Sequence, residues 1–252
     1  MERFIMQDLI AWKNREDRKP LILLGARQVG KTYILKEFGQ REFENVAYIN
    51  CDNNAMVKDL FATDYNIERI LLTIGAITGV NIQAGKTLII MDEIQELHRG
   101  LASLKYFCED AREYHVAVAG SLLGLTLHQG ESYPVGKVNT LEMFPMTYEE
   151  FLLARGFKQR VDLLQSGMWD VVNSLRTLYI QHLREYYLVG GMPEAVKKFI
   201  DTNDANAVRE VQKEILHAYE KDISKHAPNE QVVRINQVWN SIPSQLAKEN
   251  KK

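Results

Sequence analysis

LILLGARQVGKT, residues 21–32, joins a buried-strand signal to a glycine-rich turn and the start of a helix. Leu21–Leu24 is continuously apolar, without the alternation of a strand that faces water on one side, and so reads as a strand covered on both faces. From Gly25 to Thr32 the chain fits GxxxxGK[ST], and the next residues, Tyr33–Phe38, have helical spacing. A strand before and a helix after is the setting this motif needs. The glycines, Gly25 and Gly30, let the backbone of Ala26, Arg27, Gln28 and Val29 wrap a phosphate, and amides and helix N-terminus supply partial positive charge. Lys31 then reaches the β- and γ-phosphates of a nucleotide, and the Thr32 hydroxyl ligates Mg2+.

Working outward, three more short runs share the character of the first: Val46–Ile49, Leu88–Met91 and Val116–Ala119. Helical patterns lie among them at Ile67–Ile77 and Leu101–Glu113, so strand and helix alternate as in a doubly wound α/β sheet. Gly136–Met143 is a fifth strand candidate, followed by Pro145 and a helix over Tyr148–Ala154. Upstream, Ile5–Trp12 has helical spacing and the charged stretch Lys13–Lys19 forms a loop.

The run at 88–93 ends in Asp92-Glu93, two acids at the carboxyl end of a buried strand, where α/β sheets put their ligand crevice. In that position Asp92 holds magnesium through water, and Glu93 orients and activates a water for in-line attack on the γ-phosphate. Taken alone the pair reads better as a helix cap, but next to Gly25–Thr32 the nucleotide reading prevails. Val116–Ala119 ends in Gly120-Ser121. If this strand lies between the other two, Ser121 faces the γ-phosphate and can sense its hydrolysis; a turn or capping serine is an equally good account. It is not a GxSxG nucleophile elbow, since Ala119 and Leu123 stand where glycines would.

After Gly156 no further buried strand occurs, and the remainder reads as a second, all-helical unit. Leu163–Leu188 has helical spacing, Gly190-Gly191 breaks it, and Pro193 suits the first turn of a helix over Glu194–Ile200. Asp201–Asn203 form a turn and cap; a calcium loop is excluded because Ala205, Asn206 and Gln212 occupy its ligand, glycine and glutamate positions. The last stretch, SQLAKENKK, has an amphipathic helical pattern.

Composition excludes other classes. The chain has 252 residues, 46% apolar and 25% charged, with 31 Lys and Arg against 33 Asp and Glu and a net charge of −2. That profile belongs to a globular protein able to bury a core without disulfides or metals, and it speaks against nucleic-acid binding by bulk charge. Its two cysteines, Cys51 and Cys108, have no CxxC partner and read as reduced structural thiols. The histidines, at 98, 115, 128, 182, 217 and 226, never fall at zinc spacing. There is no signal peptide and no run of about 18 apolar residues, so no membrane partner is expected and a cytoplasmic location is the default. A completing arginine has five candidates, Arg27, Arg112, Arg155, Arg160 and Arg184, among which the sequence does not choose.

Together GARQVGKT (25–32), LIIMDEIQE (88–96), AGSLLG (119–124), YPVGKV (133–138), VGGMPEAV (189–196) and the later ILHAYEKDISKH (215–226) resemble the prokaryotic ATP-binding proteins of the AAA family that are commonly followed by a C-terminal domain of unknown function. The resemblance spans nearly the whole chain. It implies a P-loop NTPase core with five parallel strands ordered 5-1-4-3-2, flanked by helices and followed by a helical lid. It assigns Lys31 and Thr32 to phosphate and Mg2+, Asp92 to Mg2+, Glu93 to water activation and Ser121 to the sensor position. Gly191-Met192-Pro193 is similar to the GxP element of STAND-type signalling ATPases, which implies a position near the nucleotide. In two respects the chain departs from the family pattern: it has no clear second-sensor arginine in the lid and none at a diagnostic oligomer-facing position.

The expected organisation is an N-terminal helix and loop (1–18), an ATPase core (19–156), a helical lid (157–226) and the beginning of a truncated C-terminal region (227–252), which in some relatives resembles a nuclease fold. The expected function is that of a slow, Mg2+-dependent ATPase that couples nucleotide state to movement of the lid and a partner domain. Two alternatives stay open: a nucleotide switch without turnover, and a regulatory module for a DNA-associated or defence effector. Self-association and nucleic-acid contact are not decided by the sequence.

Overall fold

The computed structural model describes residues 1–52, 54–57, 60–61, 64–120, 134–226 and 229–246. Five strands form one parallel sheet: β1 (Leu21–Gly25), β2 (Asn45–Asn50), β3 (Thr87–Asp92), β4 (His115–Ala119) and β5 (Asn139–Met143). Their spatial order is β2-β3-β4-β1-β5, the expected 5-1-4-3-2 read from the other edge.

Both faces of this sheet are covered, and side chains of one strand therefore divide between two cores. Ile22, Ile89, Met91, Val116 and Val118 pack on one side under α3 (Ile67–Thr78) and α4 (Gly100–Asp110). Leu21, Leu23, Leu88, Ile90 and Ala117 pack on the other under α1 (Ile5–Lys13) and α2 (Lys31–Glu42). With neither face wet, successive residues are all apolar, which is why β1, β3 and β4 read as unbroken hydrophobic runs. The edge strand β2 departs from that expectation. Its burial alternates, because Ala47 and Ile49 lie in the core on the α3 side while Val46 and Tyr48, on the opposite face, are only partly covered. The fifth strand starts later than expected, at Asn139, since Gly136 sits in a turn at φ +72°.

The helical part follows: α5 (Tyr148–Ala154), α6 (Lys158–Ser166), α7 (Trp169–Ser174), α8 (Arg176–Val189), α9 (Pro193–Thr202), α10 (Ala205–His226) and α11 (Asn229–Leu246). The single helical pattern expected over 163–188 is three helices, because Gly167 takes a left-handed conformation (φ +70°) and closes α6. Pro193 opens α9 in its first turn as expected, and Asn203, at φ +50°, closes it. Apolar packing of this layer begins at Met146 and Phe151, which join Val189, Val196, Phe199, Val208 and Val211 in one cluster. Among the described residues no helix is long and apolar enough to cross a membrane.

Candidate functional site

The loop between β1 and α2 is shaped by close approach and by unusual backbone angles. A Cβ on Gly25 would stand 2.3 Å from the carbonyl oxygen of Met143 on β5, so no larger residue fits there. Gly30, the residue before α2, has φ +98°, a conformation that strains any side chain, and Gln28 shares the left-handed region at φ +63°. Lys31 is the first residue of α2 and is only 7% exposed. Its ammonium folds back and donates to the carbonyls of Gly25 and Ala26, both at 2.9 Å. Burial lowers its pKa, while the charges of Glu93 and Asp92 oppose that shift and Arg27 adds to it.

Two strands away, β3 ends on Asp92, which is buried and in register with Asn50 of β2 and Ala119 of β4. Thr32 donates its hydroxyl proton to Asp92 Oδ2 at 2.6 Å, so the two residues expected at a metal meet across the site. The Tyr48 hydroxyl donates to the same oxygen at 3.2 Å, and the Lys36 ammonium lies 3.5 Å over the Tyr48 ring. Burial and the Asp92 charge push the Tyr48 pKa up to about 12, which keeps it a donor. Cys51, buried on the loop after β2, is pushed up to about 12 by burial and by the charges of Asp92 and Glu93, so it stays a thiol. Glu93 stands at the head of a short 3₁₀ turn, Ile94–Glu96, with φ +53°. Its carboxylate makes no capping bond and instead accepts from Gln95 Nε2. Ser121, the expected sensor, lies outside the described residues.

The helical layer closes on the loop at three points. The ring of Pro193 comes within 3.9 Å of where a Gly30 Cβ would be, and Gly191 packs so tightly that a Cβ there would meet the Met146 carbonyl at 2.3 Å. Arg27 pairs with the buried Asp222 of α10 at 2.8 Å, and the Tyr219 hydroxyl donates to the Arg27 carbonyl at 2.8 Å. At the opposite end Arg3 reaches in: it donates to Glu150 Oε1 (3.1 Å), to the carbonyl of Val29 in the loop (3.0 Å) and to that of Phe144 (2.6 Å). Between these contacts lies a pocket of about 560 Å3 lined in part by Met1, Val29, Gly30, Tyr33, Met143 and Pro193.

Of the five candidate arginines, Arg27 lies in the loop itself. The partners of Arg112, Arg155 and Arg160 lie elsewhere: Arg112 donates to the Cys108 carbonyl, Arg155 to Glu185, and Arg160 stacks 4.0 Å from the Phe157 ring. Sequence reading missed Arg3, Tyr48, Gln95, Tyr219 and Asp222. Only Glu150 carried a local signal, because Thr147 and Glu150 form a capping box at the start of α5. Arg3, Tyr48, Tyr219 and Asp222 act through contacts between distant parts of the chain, and Gln95 through its bond to Glu93 two positions away.

The donor chemistry here fits a hard divalent cation shared with a phosphate. Thr32 and Asp92 offer oxygen, and among the described residues no group of three or more His, Cys, Asp or Glu could hold a metal without help.

Comparison with known proteins agrees with this fold. Residues 17–152 match the family model described as AAA domain. The chain belongs to the AAA family. Residues 180–252 of this AAA protein match a second model, a domain of unknown function (DUF8612), which overlaps the helices after α7. No curated protein sequence matches the chain. Among solved structures it is similar to the Walker-type ATPase PABY2304 of Pyrococcus abyssi, with TM-score 0.55 and 17% identity over 90% of this chain and 77% of that one. It is also similar to the RuvB Holliday junction branch migration motor of Thermotoga maritima (TM-score 0.46, 14% identity, 94% of this chain, 78% of that one). A third is Cdc6p of Pyrobaculum aerophilum (TM-score 0.37, 13% identity), of whose length the match covers 46% against 58% of this chain. The fold of the AAA core is thus that of P-loop ATPases.

Proposed function

We propose that this AAA protein binds Mg·ATP at Gly25–Thr32 and hydrolyses it to ADP and phosphate. The observation that carries the reading is the 2.6 Å contact of Thr32 with Asp92, with the charges of Asp92 and Glu93 acting on Lys31. Those four residues come from two elements sixty positions apart and have no common structural task. Thr32 and Asp92 hold the magnesium, which supplies charge neutralisation at the phosphates. Lys31 exchanges the Gly25 and Ala26 carbonyls for phosphate oxygens; its burial makes that exchange favourable, since an anion relieves the cost of a desolvated ammonium. Glu93 takes a proton from the attacking water. The pocket beside Gly30 and Tyr33 accommodates the nucleoside end, which the phosphate loop leads into.

Contacts of Pro193, Tyr219 and Asp222 with the loop support a coupling between nucleotide state and the C-terminal helices. A loop that tightens around phosphates changes what Arg27 and Gly30 present to those helices, and the difference is transmitted as helix movement.

The test is single-turnover hydrolysis of labelled ATP by the wild-type chain and by Glu93→Gln, over a range of protein concentrations. Turnover in the wild type, with at least a hundredfold loss in the variant (on the order of a lost general base) and retained ATP binding, is the expected result. A specific rate that rises with concentration reveals an arginine supplied by a second copy. ATP bound by both proteins and hydrolysed by neither refutes the ATPase and leaves a nucleotide switch.

A further inference from the structure

Gln95 stands two positions after Glu93 in the short turn Ile94–Glu96 and is 5% exposed. One end of its amide, Nε2, donates to Glu93 Oε2. The other end, Oε1, is buried with no hydrogen-bond partner among the described residues. An unpaired buried carbonyl is destabilising, and an apolar side chain of similar length would fill the same volume without that cost. Glu93 adds a second cost, since φ +53° is the left-handed region for a residue that has a Cβ. Two unfavourable features adjoining one carboxylate point to a requirement of chemistry rather than of packing.

We propose that Gln95 is a second water-orienting residue: Nε2 fixes the Glu93 carboxylate, and Oε1 accepts one hydrogen of the water that attacks ATP. The inference rests on the ATPase reading of this site. A water held by one carboxylate through one hydrogen still rotates about that bond, whereas two acceptors fix both hydrogens and aim a lone pair. Amide side chains orient the attacking water in other phosphoryl-transfer sites. In the step itself the water oxygen bonds to the γ-phosphorus and the bond from that phosphorus to the bridging oxygen breaks. The electron pair of the broken bond leaves with ADP. The proton of the hydrogen facing Glu93 passes to its carboxylate, and the hydrogen held by Gln95 stays with the new phosphate.

The test uses the full chain and Gln95→Met, which keeps the length and removes both polar ends. Single-turnover rate, ATP affinity by calorimetry and melting temperature are measured together. The expected result is a rate loss of about 100-fold, the scale for one lost transition-state contact, with ATP affinity within about twofold and the melting temperature unchanged or raised, because the unpaired carbonyl is gone. Gln95→Leu gives the same reading should the methionine variant aggregate. A variant that hydrolyses at the wild-type rate overturns the proposal. So does a rate loss matched by lost affinity and a lowered melting temperature, which makes Gln95 structural. If the wild type binds ATP without hydrolysing it, the ATPase reading itself fails, an outcome separate from the other two.

Discussion

Arg3 and Glu150 form a buried ion pair that joins the N-terminus to α5 and, through the Val29 carbonyl, to the phosphate loop. Both are nearly inaccessible, at 7% and 3% exposure. Both carboxylate oxygens are engaged: Glu150 also accepts from the backbone amides of Phe4 and Thr147. Removing one partner leaves a desolvated charge, and Glu150→Ala is expected to cost about 3–5 kcal/mol. The paired change Arg3→Met with Glu150→Leu should cost less than the single one, because no charge is stranded. Denaturant midpoints of the four proteins in this cycle measure it, and a double change costing the sum of the singles would show that the two residues act independently. The site's motif residues are different in kind. Lys31, Thr32, Asp92 and Glu93 are legible because their chemistry demands fixed residue types at fixed offsets from a strand end, whereas Arg3 owes its role to a contact 147 positions away.

At the scale of elements, β4 begins with a residue that a buried strand tolerates only in neutral form. His115 is 6% exposed and packs edge-on against the rings of Trp12 on α1 and Phe43 after α2. Burial, helped by the positive charges of Arg18 and Lys13, depresses its pKa to about 4. A depressed imidazole pKa means that the unfolded chain, at the ordinary value of 6.5, binds the proton more tightly than the folded one. Its contribution is therefore complete above pH 6.5 and declines as pH falls towards 4, by about 3 kcal/mol at most. His115→Gln should flatten the stability profile between those limits; urea midpoints that fall equally in both proteins would contradict it. The same scale explains where element boundaries were legible. Tyr148–Ala154 has a capping box at its start and was readable to the residue, while the break at Gly167 was hidden because the apolar spacing continues across it.

Across the whole molecule, α10 is tied to the phosphate loop by Asp222 and Tyr219, and Tyr219 stacks on Trp239 of α11 at 5.9 Å. The strap thus runs from the loop through both C-terminal helices. Arg27 is partly exposed, so the ion pair is discounted for screening, and the local effect of Asp222→Ala is expected to be about 1–2 kcal/mol. Hydrogen exchange of α10 should then quicken by roughly tenfold or more while the sheet keeps its protection. Unchanged exchange in α10 would mean that the strap contributes nothing to docking. Both strap residues lie in ILHAYEKDISKH (215–226), yet the string alone says nothing of what it touches.

By itself the sequence determined the alternation of strand and helix, the phosphate loop and the acids that face it. These follow from local rules: period, glycine geometry and the pairing of charge with a strand end. The strand order also came from the sequence, through resemblance to relatives rather than through physics. Only the tertiary structure decided that Arg3, Tyr48, Tyr219 and Asp222 belong to the site. The reason is that hydrogen bonds and ion pairs reach a few ångströms in space without regard to separation along the chain, and polar residues spaced at random look alike until folding brings two of them together in a place without water.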